Sequence, residues 1–133
     1  DRIISARLQG RHGRITIIQA YAPIDDAEDA VKVSFYEHLQ QEIDATPRHD
    51  IIMLLGDFNA QIDQDREGIE HVIGPFGSAL HKTDNGDRLI SLCTTNNMHI
   101  SNTFYRHKNI HKKTWRHPNG QSSNEIDYIC ISK

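Results

Sequence analysis

The sequence predicts a layered α/β domain, and three observations carry that prediction. Two β-branched runs near the start flank a glycine-bearing connection. A pattern with helical spacing follows them, and a third, unbroken apolar run then ends in Gly56-Asp57-Phe58-Asn59. Antiparallel hairpins mixed with isolated helices bury their apolar faces in layers. At 133 residues the chain is the size of one domain, so residues 1–133 are read as a single unit.

Ile3 to Leu8 and Arg14 to Tyr21 are rich in β-branched residues, and "QGRHG" between them supplies hairpin glycines, which predicts an antiparallel pair. After Pro23, Asp25 and Asp26 offer carboxylates to a helix start. Ala27, Val31, Phe35, Leu39 and Ile43 then recur every fourth residue until Pro47, which predicts an amphipathic helix. Ile51 to Leu55 does not alternate, as expected of a central strand buried on both faces. Gln64 to Lys82, rich in glycine, charge and histidine, reads as loop. A second helix is predicted from about Asp84, with Leu89, Ile90, Leu92 and Cys93 on its apolar side. Met98, Ile100, Asn102 and Phe104 alternate like a strand. Thr114-Trp115 and Ile126 to Ile131 predict two more strands, joined as a hairpin through Pro118-Asn119-Gly120.

No apolar run approaches the length needed to cross a membrane, and the start "DRIISARLQG" lacks the order of a signal peptide. A soluble protein of the nucleus or cytoplasm is expected. Cys93 and Cys130 lie in apolar or helical patterns and read as reduced core thiols. The net charge of −3 excludes a protein coated in positive charge. Arg106, His107, Lys108, His111, Lys112, Lys113, Arg116 and His117 nevertheless form a basic cluster, which reads either as the place where a polyanion would bind or as a solvated basic loop. The His107/His111 spacing invites zinc, but no Cys-x-x-Cys partner accompanies it and its surroundings are basic.

The chemistry concentrates at "GDFN". A strand ending there places Asp57 and Asn59 on one side and Phe58 on the other. A carboxylate and a carboxamide facing one space can orient a water for attack on a phosphate, one taking its proton and the other donating to the developing negative oxygen. The alternative is an Asx-type turn in which both side chains cap backbone NH groups.

"QAYAPIDD", "GDFNAQID", "KTWRHPNG" and "NEIDYICIS" occur in this order along essentially the whole chain. In that series the sequence resembles the endonuclease/exonuclease/phosphatase superfamily. More narrowly, it resembles the apurinic-endonuclease-like domain of non-LTR (LINE-type) retrotransposons and the craniofacial development protein 2-like genes related to them. The resemblance implies part of a four-layer α/β sandwich, with two mainly β sheets packed together and helices outside. It makes Asp57 the residue that positions or deprotonates the attacking water, Asn59 the donor to the scissile phosphate, and Tyr21 a contact to the same phosphate. Asp127 would fix the tautomer of a catalytic histidine. On the expected hairpin, Trp115, Arg116, His117, Asn119 and Gln121 would contact DNA. "TDNGDRL" also resembles the family pattern and is expected to be structural.

The chain departs from that pattern in three places. The family's early asparagine, its Mg2+-binding glutamate and its closing Ser-Asp-His are absent, so no metal ligand is assigned and both flanks of the domain, the N-terminal part and the final segment, are expected to be missing. The implied parent is a Mg2+-dependent DNA endonuclease that nicks one strand to leave a 3′-hydroxyl, with a reverse transcriptase domain in the same chain as a possible companion. The fragment alone is expected to be inactive. The rival readings are a phosphatase or phosphodiesterase of the same superfamily acting on another substrate, and a truncated, non-catalytic element remnant.

Overall fold

The computed structural model describes residues 2–133. Strand β1 (Ile3–Gly10) turns through Arg11-His12 into β2 (Gly13–Tyr21), pairing antiparallel from Ile3↔Ala20 to Gly10↔Gly13. The chain crosses over through α1 (Asp29–Asp44) to β3 (Ile51–Asp57), which runs parallel to β2 from Ile15↔Ile51 to Tyr21↔Asp57. A long irregular segment leads to α2 (Asp84–Thr95), the short β4 (Met98–Ile100), a 3-10 turn (Ser101–Phe104) and the single-turn α3 (Asn109–Lys112). β5 (Trp115–Arg116) pairs only with β6 (Ser123–Asn124), and β7 (Asp127–Ser132) closes the chain. The main sheet is mixed, with order β1-β2-β3-β7-β4, so β3 is central as the sequence predicts.

Helices cover one face of this sheet. Ile18, Ala20, Leu54, Met98, Ile100, Tyr128 and Cys130 point into it and share a core with Phe35, Tyr36, Leu39 and Ile43 of α1 and Leu89, Ile90, Leu92 and Cys93 of α2. Both cysteines are buried free thiols. The opposite face carries Ile4, Leu8, Ile15, Ile17, Ile51, Met53, Leu55, Ile129 and Ile131, since directly paired residues project to the same side. These side chains are only partly covered or exposed, Ile51 by 49% and Ile129 by 42%. β3 is therefore buried on one face, not two, among the described residues. These residues supply one five-stranded sheet and a two-stranded ribbon. None of the helices is long and apolar enough to cross a membrane.

Several local expectations are corrected. α1 begins at Asp29 with no side-chain cap, and Asp25 instead accepts the backbone NH of Asn85 at 2.8 Å, capping the start of α2. The buried stripe of α1 is Lys32, Phe35, Tyr36, Leu39 and Ile43, while Val31 is exposed. A strict four-residue repeat drifts around a helix of 3.6 residues per turn, so Val31 and Ile43 cannot share a face. Buried Lys32 reaches Asp84 at 2.6 Å, tying the two helices together. The alternating run from Met98 stops as a strand at Ile100, because Thr103 turns back to donate to the Ile100 carbonyl at 2.6 Å and accepts the Gly74 NH. The segment between β3 and α2 lacks regular structure yet buries Phe58, Ala60, Ile62, Val72 and Ile73 completely.

The expected hairpin from Thr114 to Ile131 divides. β6 partners β5 in a separate ribbon, and Asp127 belongs to β7 in the main sheet.

Candidate active site

Tyr21, Asp57 and Asp127 form one row across the three adjacent strands β2, β3 and β7. Asp57 is the direct partner of both others: Tyr21↔Asp57 in the parallel pair and Asp57↔Asp127 in the antiparallel one. Gly56 permits that close approach. It sits at φ 148°, and a Cβ there would lie 1.9 Å from the Ala20 carbonyl oxygen. Beyond the row the pairing continues for one step, with the Ala22 NH donating to the Asp57 carbonyl at 2.8 Å and the Phe58 NH to Ile126 at 2.9 Å.

Asn59 does not continue the strand. It takes a left-handed conformation, φ 46°, which asparagine tolerates better than most residues. Its NH donates to Asp57 Oδ1 at 2.9 Å and its Nδ2 to the Ala22 carbonyl at 3.0 Å. Asp57 therefore caps a backbone NH as the Asx-turn alternative expects, whereas the Asn59 side chain does not, donating to a carbonyl instead. One hydrogen of the Asn59 amide is spent on Ala22 and a second is left to donate. Phe58 points the other way into the core, as strand alternation predicts.

Burial raises the Asp57 pKa. The Asn59 NH opposes that rise, and the like charge of Asp127 adds to it. Asp127 is braced from below. Asn102 donates from Nδ2 to the Asp127 carbonyl at 3.1 Å and to Glu125 Oε1 at 3.0 Å, and its Oδ1 accepts the Ile129 NH at 2.9 Å. Buried Glu125 also accepts the Ser78 hydroxyl at 2.7 Å. Nothing local in the sequence marks this role for Asn102, whose partners lie 23 to 27 residues away. Tyr21 is half-exposed, with the Arg2 guanidinium 5.2 Å from its ring centre.

The five residues expected at DNA lie on the β5–β6 ribbon and its turn. Trp115 and His117 meet edge to face at 5.5 Å. His117 Nδ1 accepts the Asn119 NH at 3.1 Å, Asn119 Oδ1 accepts the Gln121 NH at 2.9 Å, and Arg116 donates to the Gly120 carbonyl at 3.1 Å. These bonds shape the turn, on which His117 and Gln121 are exposed. Thr114 Oγ1 ties the base of the ribbon to β7, accepting the Ile126 NH at 3.1 Å and the Asp127 NH at 3.4 Å. The basic cluster is smaller than its sequence implies. Lys112 is buried, donating to the Phe76 carbonyl beneath it, and Lys113 reaches the Ser78 carbonyl at 3.4 Å.

Mg2+ is usually held by one or two carboxylates together with substrate oxygens. Among the described residues no group of three His, Cys, Asp or Glu side chains converges as a metal site, and one Asp57 oxygen is already engaged by Asn59. The residues present do not by themselves make a site for that ion.

This architecture matches part of the endonuclease/exonuclease/phosphatase fold. The chain superposes over 99% of its length on 51% of the endonuclease domain of TRAS1, a telomere-specific non-LTR retrotransposon, with a TM-score of 0.65 and 16% identity. It superposes over 98% of its length on 42% of an endonuclease/exonuclease/phosphatase family protein from Leptotrichia buccalis, with a TM-score of 0.62 and 14% identity. In sequence it is similar to craniofacial development protein 2, being 37% identical over 129 residues to that of Bos taurus and 36% identical over 129 residues to that of Tragulus javanicus. Those matches cover 97% of this chain but only 21% and 22% of the relatives, so the chain spans about a fifth of their length. No family model matches the chain.

Proposed function

We propose that this chain is the interior and C-terminal part of a DNA endonuclease domain, organised in its parent protein as a four-layer sandwich whose second sheet covers the open face. The reaction is hydrolysis of one phosphodiester of a duplex, leaving a 3′-hydroxyl that a reverse transcriptase domain of the same parent can extend, in the nucleus or cytoplasm. The observation that carries this reading is the row Tyr21–Asp57–Asp127 with Asn59 folded against it, which supports a site of two acceptors and two donors at the end of the central strands.

In this reading Asp57 orients the attacking water and takes its proton. A pKa raised by burial makes it a better base for that step than a free carboxylate. Asn59 donates its remaining amide hydrogen to a non-bridging phosphate oxygen as charge develops there, and the Tyr21 hydroxyl donates to the same phosphate. Asp127 accepts from a histidine supplied by the parent and holds its tautomer. Mg2+ would add charge stabilisation of the phosphate and leaving oxygen, with its main carboxylate ligand supplied from outside these residues. The exposed cations of the 106–117 segment favour a nucleic acid over a small phosphate ester.

The test is to incubate the full-length protein with supercoiled plasmid and Mg2+. The expected product is a nicked circle whose ends a DNA polymerase extends without prior phosphatase treatment. Release of phosphate from an inositol phosphate or a sphingolipid, with intact plasmid, would replace this reading by a different substrate class.

A further inference from the structure

The stretch Thr83-Asp84-Asn85-Gly86, expected only to start a helix, grips the catalytic loop. Asn85 is fully buried. Its Nδ2 donates to the Pro23 carbonyl at 2.9 Å and to the Asn59 carbonyl at 3.2 Å, bridging the segments that follow β2 and β3. Its own NH is held by Asp25, and the Tyr36 hydroxyl donates to its carbonyl at 3.4 Å. Beside it, Thr83 Oγ1 accepts the NH groups of Gln61 at 3.0 Å and Gly86 at 3.2 Å. Gly86 lets the helix settle there, since a Cβ at that position would lie 2.2 Å from the Gln61 carbonyl oxygen.

Asn59 is thus held at three points: its NH by Asp57, its side chain by Ala22 and its carbonyl by Asn85. The two carbonyl acceptors fix which end of the Asn85 amide faces the loop. Its Oδ1 is buried with no hydrogen-bond partner among the described residues. An apolar residue would spare that orphan oxygen but leave the Pro23 and Asn59 carbonyls without this donor. What the amide accomplishes is the double donation that fastens Ala22-Pro23 and Asn59 to one rigid helix end.

We infer that Asn85 is a positioning residue for Asn59, setting the left-handed turn that aims the Asn59 amide at the scissile phosphate. This rests on the phosphodiesterase reading above. Misplacing a reacting group by about 1 Å can cost roughly 100-fold in rate. Asn85 is fully buried, so its loss should act through the segments it fastens, Asn59 foremost.

The experiment is a double-mutant cycle in the full-length protein, using Asn59→Ala, Asn85→Ala and their combination, read as plasmid nicking with Mg2+. Asn85→Ser serves as the milder variant should Asn85→Ala fold poorly. Amide hydrogen exchange over residues 22–23 and 59–61 is measured on each. Each single change is expected to lower kcat by roughly 10- to 100-fold with KM for DNA within about twofold, and the double change to be no slower than the slower single. Exchange in the Asn85 variants should rise in those two segments and not across the main sheet. Multiplicative losses in the double variant, or a rise in exchange spread evenly over the domain, would overturn the inference while leaving the role of Asn59 intact. Normal nicking by Asn59→Ala would instead remove the phosphate-donor role, and the positioning role with it.

Discussion

The carboxylates of Asp57 and Asp127 leave directly paired positions on β3 and β7 and share the sheet face that no described helix covers. Burial raises the Asp57 pKa, and the like charge of Asp127 works in the same direction. A carboxylate whose folded pKa is raised contributes stability that is complete below its unfolded pKa, about 3.9, and lost as the pH rises through the folded value. At neutral pH, ionised Asp57 therefore costs stability. Asp57→Asn keeps the shape and the acceptor for the Asn59 NH, so it should unfold at a higher temperature than the natural protein at pH 7, the gap closing below about pH 4. Thermal unfolding across that range checks this, and a less stable variant at pH 7 would contradict it.

Gly56 makes the row possible. Gly56→Ala drives a Cβ into the Ala20 backbone at a positive φ, and overpacking of this kind costs roughly 1–3 kcal/mol. The melting temperature and the exchange protection of β2 and β3 should both fall. An unchanged melting point would mean that the two strands can separate without cost.

The open apolar face should govern the behaviour of the 133-residue chain on its own. Ile17, Met53 and Ile131 form its central row. Exposed apolar sheet faces and edges promote association. Sedimentation should show concentration-dependent oligomers, shifted toward monomer by Ile17→Glu. A monomer that unfolds in one sharp transition would show that this face needs no cover.

Much of the fold was legible because its signals are local. The β1–β2 hairpin, the central position of β3 and the apolar side of α2 follow from turn residues, unbroken apolar runs and helical spacing. What escaped is long-range. Asp25 reads as a cap for the nearest helix, yet it caps one 60 residues onward. Asn102 sits in an alternating pattern, but its side chain braces β7 and the chain turns at Thr103. The segment before α2 is irregular and polar in composition, and nothing local marks Val72 and Ile73 as core. At the site, "GDFN" pointed to Asp57 and Asn59, but alternation alone placed Asn59 on an extended strand where an Asx turn holds it.

The ribbon offers a separate test of target choice. Its tip is detached from the main sheet, while Glu125 at its base is buried and bonded to Ser78 and Asn102. Replacing residues 117–122 with a short Gly-Ser turn spares that base. In the full-length protein the positions of nicks on one plasmid should change more than the rate at a favoured site, because groove contacts and shape set preference while phosphate contacts set position. Identical nick maps would reduce the ribbon to a connection.

The proposed activation of the attacking water by Asp57 is tested by single-turnover nicking with full-length Asp57→Ala, beside binding of the same plasmid. A lost general base costs about 10²- to 10⁴-fold. The cleavage rate should fall by that much, with DNA affinity changed by less than about threefold; near-normal cleavage by Asp57→Ala would leave Asp57 as no more than a cap for the turn at Asn59.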